Sequence, residues 1–177
     1  VRAVELVLGR LLRLRGLEAG RGDTTLVFLH GYGESLMAWR LVLDRFTRNY
    51  RVLAVDLPGH GLSDKPDGPY DYPAQVRWLS RLLDQETQGP VVLVGHSLGG
   101  QLAAGLALAR PDRVRALVLI APAGAGINPF LTDTAGIASP ATQWVASALS
   151  FVLPVRDSAW LREPDGDAAG GPSGDSL

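Results

Sequence analysis

The stretch Val91–Gly100, VVLVGHSLGG, decides the fold of this chain. It begins with four apolar residues, as a strand buried on both faces does. The pattern Gly-x-Ser-x-Gly follows from Gly95 to Gly99, and mostly small residues continue to Ala109. Because the chain holds 21 glycines among 177 residues, the five-residue pattern alone is weak evidence. Its place between a strand and a helix makes it specific, and predicts that Ser97 stands on a tight turn.

A turn of this kind strains its central residue. We expect a positive φ at Ser97, which crowds the residues two before and two after it, and glycine at 95 and 99 relieves that crowding. The oxygen of Ser97 then lies near the positive end of the helix dipole, beside the amide of Leu98. The alternative is a glycine-rich turn in which Ser97 only caps the helix.

The flanking sequence alternates strands and helices. Strands are predicted at Arg2–Leu8, Leu11–Glu18, Thr24–Leu29, Arg51–Val55, Val91–Val94 and Val114–Ile120, the last four as buried strands. Helices are predicted at Ala74–Thr87 and Leu98–Ala109, and Ser35 precedes a further helical stretch that runs through Phe46. Such alternation predicts an α/β fold with a mostly parallel sheet and right-handed crossovers. Residues 140–153 fit one more helix.

Two glycine-rich turns accompany the central motif. His30-Gly31-Tyr32-Gly33 directly follows a buried strand, where backbone amides can face a site, and the amide of Tyr32 is a candidate oxyanion donor. The segment from Asp56 to Asp64 follows the next strand. Its Pro and Gly residues fit a fixed structural turn, and we see no chemistry that requires it.

Four segments in this order, LHGYGES, VLAVDLPGHGLSD, VVLVGHSLGG and PDRVRALVLIAPAG, resemble the α/β-hydrolase superfamily. The resemblance covers about Val4 to Gly126 and is closest to the serine-nucleophile lineage of esterases, carbon–carbon hydrolases, perhydrolases and acyltransferases. It implies an α/β-hydrolase fold with helices on both faces of the sheet. It also implies hydrolysis of a carboxylic ester or related small acyl substrate without a cofactor.

Position by position, the resemblance implies a role for each motif residue. Ser97 matches the nucleophile, and Leu98 and Tyr32 match the two oxyanion amides. The supporting positions are His30 and Gly31 in the first turn, and Gly95, His96 and Gly99 around the nucleophile; His96 is not the base in this family. Serine at 97 disfavours the dehalogenase and epoxide hydrolase lineages, which use Asp there.

The base and the acid of a catalytic triad are not evident. In the resembling family the His follows the nucleophile in the chain, whereas the three His here are at 30, 60 and 96. Asp133 and Asp157 lack a recognisable strand-end context. We therefore expect a truncated or frameshifted chain, without the last strands and helices of the fold and inactive alone. The alternative is a complete, non-catalytic binding or interaction protein on the same sheet.

Composition excludes several other classes of function. The net charge of −1 argues against a nucleic-acid partner, and the absence of Cys excludes thiolate metal sites and a cysteine nucleophile. No metal, no membrane partner and a cytoplasmic location are expected, and the oligomeric state is open. We expect residues 1–126 to form the N-terminal part of the core, 127–161 to begin a lid, and 162–177 to be a disordered tail.

Overall fold

A computed structural model describes residues 1–9, 12–124 and 150–154. These residues hold a seven-stranded sheet in the order β1-β2-β4-β3-β5-β6-β7. The strands are β1 Arg2–Leu8, β2 Leu12–Ala19, β3 Thr25–Leu29, β4 Arg51–Val55, β5 Val91–His96, β6 Val114–Ile120 and β7 Ser150–Pro154. The described residues form the α-helices α1 Tyr72–Glu86 and α2 Leu98–Ala109. The predicted division into core, lid and tail stays a prediction, since most of 127–161 and all of 162–177 lie outside the described residues.

Four central strands run parallel, β4, β3, β5 and β6. β2 pairs antiparallel with β1 and with β4, and β7 pairs antiparallel with β6. In the register, Leu29 of β3 lies opposite Gly95 of β5. The turns that follow these two strands therefore lie side by side at the carboxyl ends of the parallel strands. Parallel α/β sheets bind ligands at this end.

Each face of the sheet has its own core. On one face, α1 and α2 pack Leu79, Leu82, Leu83, Leu102 and Leu106 against side chains of the strands. On the other face, a cluster that includes Phe28 and Val94 of the strands packs against Leu36, Trp39 and Leu43. All five residues of β3 are buried, as predicted for a central strand, whereas β6 buries only Val114, Leu117 and Leu119.

The helical stretch predicted between Ser35 and Phe46 is not an α-helix. The segment forms two short 3₁₀ helices, Leu36–Trp39 and Leu43–Arg45, and backbone bonds such as Ala38 N–H to Ser35 C=O span three residues. Leu36, Trp39 and Leu43 meet the sheet at intervals of three and four, which a 3₁₀ turn also satisfies, so packing overrides the α-helical pattern.

Two further boundaries differ from prediction. Helix α1 begins at Tyr72 rather than Ala74, because the carboxylate of Asp71 accepts the Ala74 N–H at 2.7 Å and caps the first turn. The helix predicted over 140–153 is wrong at its end, since Ser150–Pro154 form strand β7. Pairing with β6 satisfies backbone groups that an edge strand leaves open.

Candidate active site

Ser97 stands on the turn between β5 and α2 with φ 49° and ψ −115°, which confirms the predicted positive φ. Its backbone is held on both sides. The N–H donates to Ile120 C=O at 3.0 Å, and the C=O accepts from Gln101 and Ala123 N–H at 3.1 and 2.9 Å. Strain of this kind persists only where the surroundings impose it, and the end of β6 supplies that constraint.

The glycines around Ser97 are there for close packing. A Cβ on Gly95 would lie 2.6 Å from the Gly100 nitrogen, and one on Gly99 would lie 2.6 Å from the His30 carbonyl oxygen and even nearer to that of Leu29. The amino end of α2 thus packs directly onto the end of β3. The crowding predicted at 95 and 99 is present, and at 99 the nearest atoms belong to the end of the neighbouring strand β3.

The turn after β3 places a free amide beside this packing. Glu34 N–H donates to Gly31 C=O at 3.2 Å, and Gly33 has φ 72° with open space around it, so glycine at 33 serves the backbone conformation. Tyr32 is the second residue of the turn, with its side chain 82% exposed. Among the described residues, the N–H groups of Tyr32 and Leu98 donate no backbone hydrogen bond. At the carboxyl ends of these strands, both N–H groups can therefore donate a hydrogen bond to a bound group.

His30 is fully buried and braces the turn. Its Nε2 accepts the Leu57 N–H at 2.9 Å, so Nδ1 carries the proton and donates to Gly31 C=O at 2.7 Å. Burial is the main cause that lowers the pKa of His30, against the opposing effect of the Gly31 carbonyl. A neutral imidazole with both nitrogens bonded fixes the first turn and has no lone pair free for proton transfer.

The other two His also have backbone or side-chain partners. Nδ1 of His60 lies 3.1 Å from Pro58 C=O, and its ring meets His30 and Tyr32 edge to face at 5.3 and 5.7 Å. Nδ1 of His96 lies 3.2 Å from Glu34 Oε2. In the described part of the chain no hydrogen bond joins the Ser97 hydroxyl to an imidazole. The candidate acids Asp133 and Asp157 lie outside that part.

Sequence reasoning missed two acidic residues. Glu34 follows the turn, and its Oε2 also accepts the Gly31 N–H at 2.8 Å. Burial acts to raise the pKa of Glu34, but the Gly31 N–H and the His96 ring outweigh it, so that the pKa lies below its usual value. The signal was its position three residues after Gly31, inside the HGYGES segment.

Asp56 is the second missed residue, and its side chain is completely buried. One carboxylate oxygen accepts the Leu36 N–H at 2.7 Å and the other the Leu62 N–H at 2.8 Å. Asp56 thereby ties the loop after β4 to the segment after the first turn. This agrees with a structural reading of the segment from Asp56 to Asp64, which borders the site through His60.

Neither a metal site nor a membrane-spanning helix is found among the described residues. No cluster of three or more His, Asp or Glu side chains there is arranged to hold a metal ion. No described helix is both long and apolar enough to cross a membrane.

Comparison with known proteins identifies the family. The model of the alpha/beta hydrolase fold family matches residues 24–151. The chain is 36% identical over 124 residues to the dihydrolipoyllysine-residue acetyltransferase component of the acetoin cleaving system of Cupriavidus necator, covering 69% of this chain and 33% of that protein. It is 42% identical over 102 residues to lipase LipV of Mycobacterium tuberculosis, covering 58% of this chain and 38% of that protein.

Solved structures agree with the family model. The haloalkane dehalogenase DatA of Agrobacterium tumefaciens C58 matches with a TM-score of 0.64 and 32% identity, covering 78% of this chain and 49% of that chain. The chain spans about a third to two fifths of the length of the two curated relatives named above. Since lipase, acetyltransferase and dehalogenase all match, the fold is shared across several chemistries. The sheet order, the strained Ser97 and the family model together show that this chain is a member of the α/β-hydrolase family.

Proposed function

We propose that this chain carries the nucleophile and the oxyanion donors of a serine hydrolase that acts on a carboxylic ester or a related small acyl compound. The single observation that supports this most is Ser97, a non-glycine residue held at φ 49° directly before the first turn of α2. A strained residue between a strand and a helix is what a nucleophile elbow requires, since that conformation presents the hydroxyl to an incoming carbonyl.

The proposed chemistry starts with attack by the Ser97 oxygen on the substrate carbonyl carbon. A base takes the hydroxyl proton, and the carbonyl oxygen becomes an oxyanion in the tetrahedral intermediate. The N–H groups of Leu98 and Tyr32 stabilise that oxyanion. Collapse expels the alcohol, which receives the proton, and leaves an acyl group on Ser97 that water removes.

The base is the part that the described residues do not supply. His30 is bonded at both ring nitrogens, His96 contacts Glu34, and His60 contacts the Pro58 carbonyl. A serine hydroxyl without a base is a poor nucleophile at neutral pH. We therefore propose that the 177-residue chain does not turn over esters by itself.

Two other functions have an observation in their favour. Acyl transfer to an acceptor other than water is favoured by the acetyltransferase relative, because the acyl-serine step is common to both outcomes. A non-catalytic binding role is favoured by the lack of an imidazole bonded to Ser97 in the described residues. Carbon–carbon hydrolysis and perhydrolysis use the same nucleophile and stay open. For all of these functions we propose a cytoplasmic location.

A fluorophosphonate probe tests the site directly. The chain is incubated with the probe alone and with about 0.1 M imidazole as a dissolved base, which replaces only a small part of what a held base supplies. We expect slow labelling at Ser97 that depends on imidazole, disappears in Ser97→Ala and persists in Ser80→Ala. No labelling of Ser97 under either condition contradicts the proposed hydrolase site, and fast labelling without imidazole contradicts the proposed inactivity of the chain.

A second test reads the coding sequence past codon 177 in all frames. A strand followed by Asp and later a Gly-His would rule out the non-catalytic alternative.

A further inference from the structure

The carboxylate of Glu34 lies between the two turns of the candidate site. Its Oε2 accepts the Gly31 N–H at 2.8 Å and lies 3.2 Å from Nδ1 of His96. Gly31 belongs to the turn after β3, and His96 is the last residue of β5, next to Ser97. One carboxylate oxygen therefore joins the turn that carries Tyr32 to the strand that carries the candidate nucleophile.

The backbone reinforces this link. Glu34 N–H donates to Gly31 C=O at 3.2 Å, so Glu34 bonds Gly31 from both its main chain and its side chain. The Gly31 C=O also accepts from His30 Nδ1 at 2.7 Å. A Cβ on Gly31 would lie 3.0 Å from Glu34 Oε2 and 3.0 Å from His96 Nδ1. Glycine at 31 is thus the residue that lets the three groups meet.

We propose that Glu34 is a positioning residue of the active site. Its carboxylate binds both Gly31 and His96, as a clamp between the two turns, and so fixes the distance of the Tyr32 amide from Ser97. This inference rests on the proposed function, in which the Tyr32 N–H is one of the two oxyanion donors. Glu34 does not touch the reacting atoms, and it acts through Gly31.

A negative charge suits this task better than a neutral amide does. An ionised carboxylate can only accept, so both partners of Oε2 donate to it: the Gly31 N–H and the Nδ1–H of the His96 tautomer that this contact selects. A carboxylate accepts from both, and such charge-assisted bonds are about twice as strong as neutral ones. A Gln side chain offers one oxygen, which can still accept from Gly31. Ala offers no acceptor to either partner. Glu34→Gln should therefore weaken the contact with Gly31 and His96 in part, and Glu34→Ala should remove it.

Geometry makes the consequence large. Oxyanion donors act only at about 2.7–3.1 Å from the developing charge, and removing one donor costs about 10²–10³-fold in rate. A turn released by Glu34→Ala keeps its Tyr32 amide but loses its fixed distance from Ser97. We therefore expect a rate loss of at least about tenfold from the Ala variant, smaller than the loss of the donor itself.

Amide hydrogen exchange tests the clamp without any need for turnover. NMR follows the Gly31 N–H in the 177-residue chain for Glu34→Ala, Glu34→Gln and the control Glu5→Ala, which removes an exposed acid on β1. We expect exchange at Gly31 to be at least about tenfold faster in Glu34→Ala, within about threefold of wild type in Glu34→Gln, and unchanged in Glu5→Ala. Exchange within twofold of wild type in Glu34→Ala would overturn the clamp.

Imidazole-assisted labelling of Ser97 by the fluorophosphonate then tests the positioning role. The expected order of rates is wild type and Glu5→Ala, then Glu34→Gln, then Glu34→Ala at least about tenfold slower. Equal labelling of Glu34→Ala and wild type overturns the positioning role. If wild-type Ser97 does not label, the proposed function fails, while faster exchange at Gly31 in Glu34→Ala still supports the clamp.

Discussion

Gly99→Ala probes the contact that sets the nucleophile against the oxyanion turn. A methyl group at 99 would meet backbone atoms only, the carbonyl groups of Leu29 and His30. Leu29 is itself held by β4 and β5 on its two sides. Neither partner is a flexible side chain that could turn away, so α2 and β3 have to separate by about 1 Å to restore ordinary contact.

The size of the effect follows from two opposing terms. Overpacking of a well-packed interior costs about 1–3 kcal/mol, and rigid backbone neighbours place this site at the upper end. Ala at a helical position returns up to about 1 kcal/mol relative to Gly. We expect a net loss of about 2 kcal/mol in the free energy of unfolding, together with slower imidazole-assisted labelling of Ser97.

Urea denaturation followed by circular dichroism measures the loss, provided that the m-value stays constant. Gly89→Ala is the matched control, because Gly89 has φ 65° with nothing within 4 Å of an added Cβ. Gly89→Ala should lower the free energy of unfolding by about 1 kcal/mol, from the left-handed backbone conformation alone. If Gly99→Ala costs no more than Gly89→Ala, the close packing of α2 on β3 is refuted.

Three more predictions address the strain, the buried acid and the buried imidazole. Ser97→Gly should be more stable than Ser97→Ala by about 1 kcal/mol in urea denaturation, since glycine removes the strain at φ 49°; a less stable Ser97→Gly would contradict this. Asp56→Asn should lose about 1–3 kcal/mol in the same assay, because its amide NH₂ must face the N–H of Leu36 or Leu62; an unchanged midpoint would refute it. Because the pKa of His30 is lowered in the folded chain, its imidazole binds a proton below about pH 6.5 in the unfolded chain but stays neutral in the folded one. Between about pH 6.5 and 5.5, above the usual range of carboxyl groups, the free energy of unfolding should therefore fall as the pH drops, by at most about 1.4 kcal/mol per pH unit from this one group, and the slope should be smaller in His30→Gln; an equal slope in both proteins would contradict it.

The sequence predicted the parts of the fold that depend on local patterns. Apolar runs located the central strands, and the Gly-x-Ser-x-Gly pattern predicted the strained turn that Ser97 shows. The helical stretch predicted after Ser35 forms 3₁₀ turns instead of an α-helix. The apolar spacing fits both, and the packing of Trp39 and Leu43 against the sheet decides between them.

The candidate site was predicted less completely. Ser97, Leu98 and Tyr32 followed from motifs, and their roles stay predictions. Asp56 was missed because it accepts from the Leu36 N–H, 20 residues away in the chain. Glu34 was missed because its link to the strand before Ser97 runs through His96, 62 residues away. Long-range contacts of this kind leave no periodic trace in a single sequence.

A crystal structure of the phosphonate adduct tests the central claim most directly. We predict the phosphorus on the oxygen of Ser97 and one phosphoryl oxygen within about 3.1 Å of both the Leu98 and the Tyr32 nitrogens. An adduct on another serine, or a phosphoryl oxygen that faces solvent with either amide beyond about 4 Å, would contradict the account.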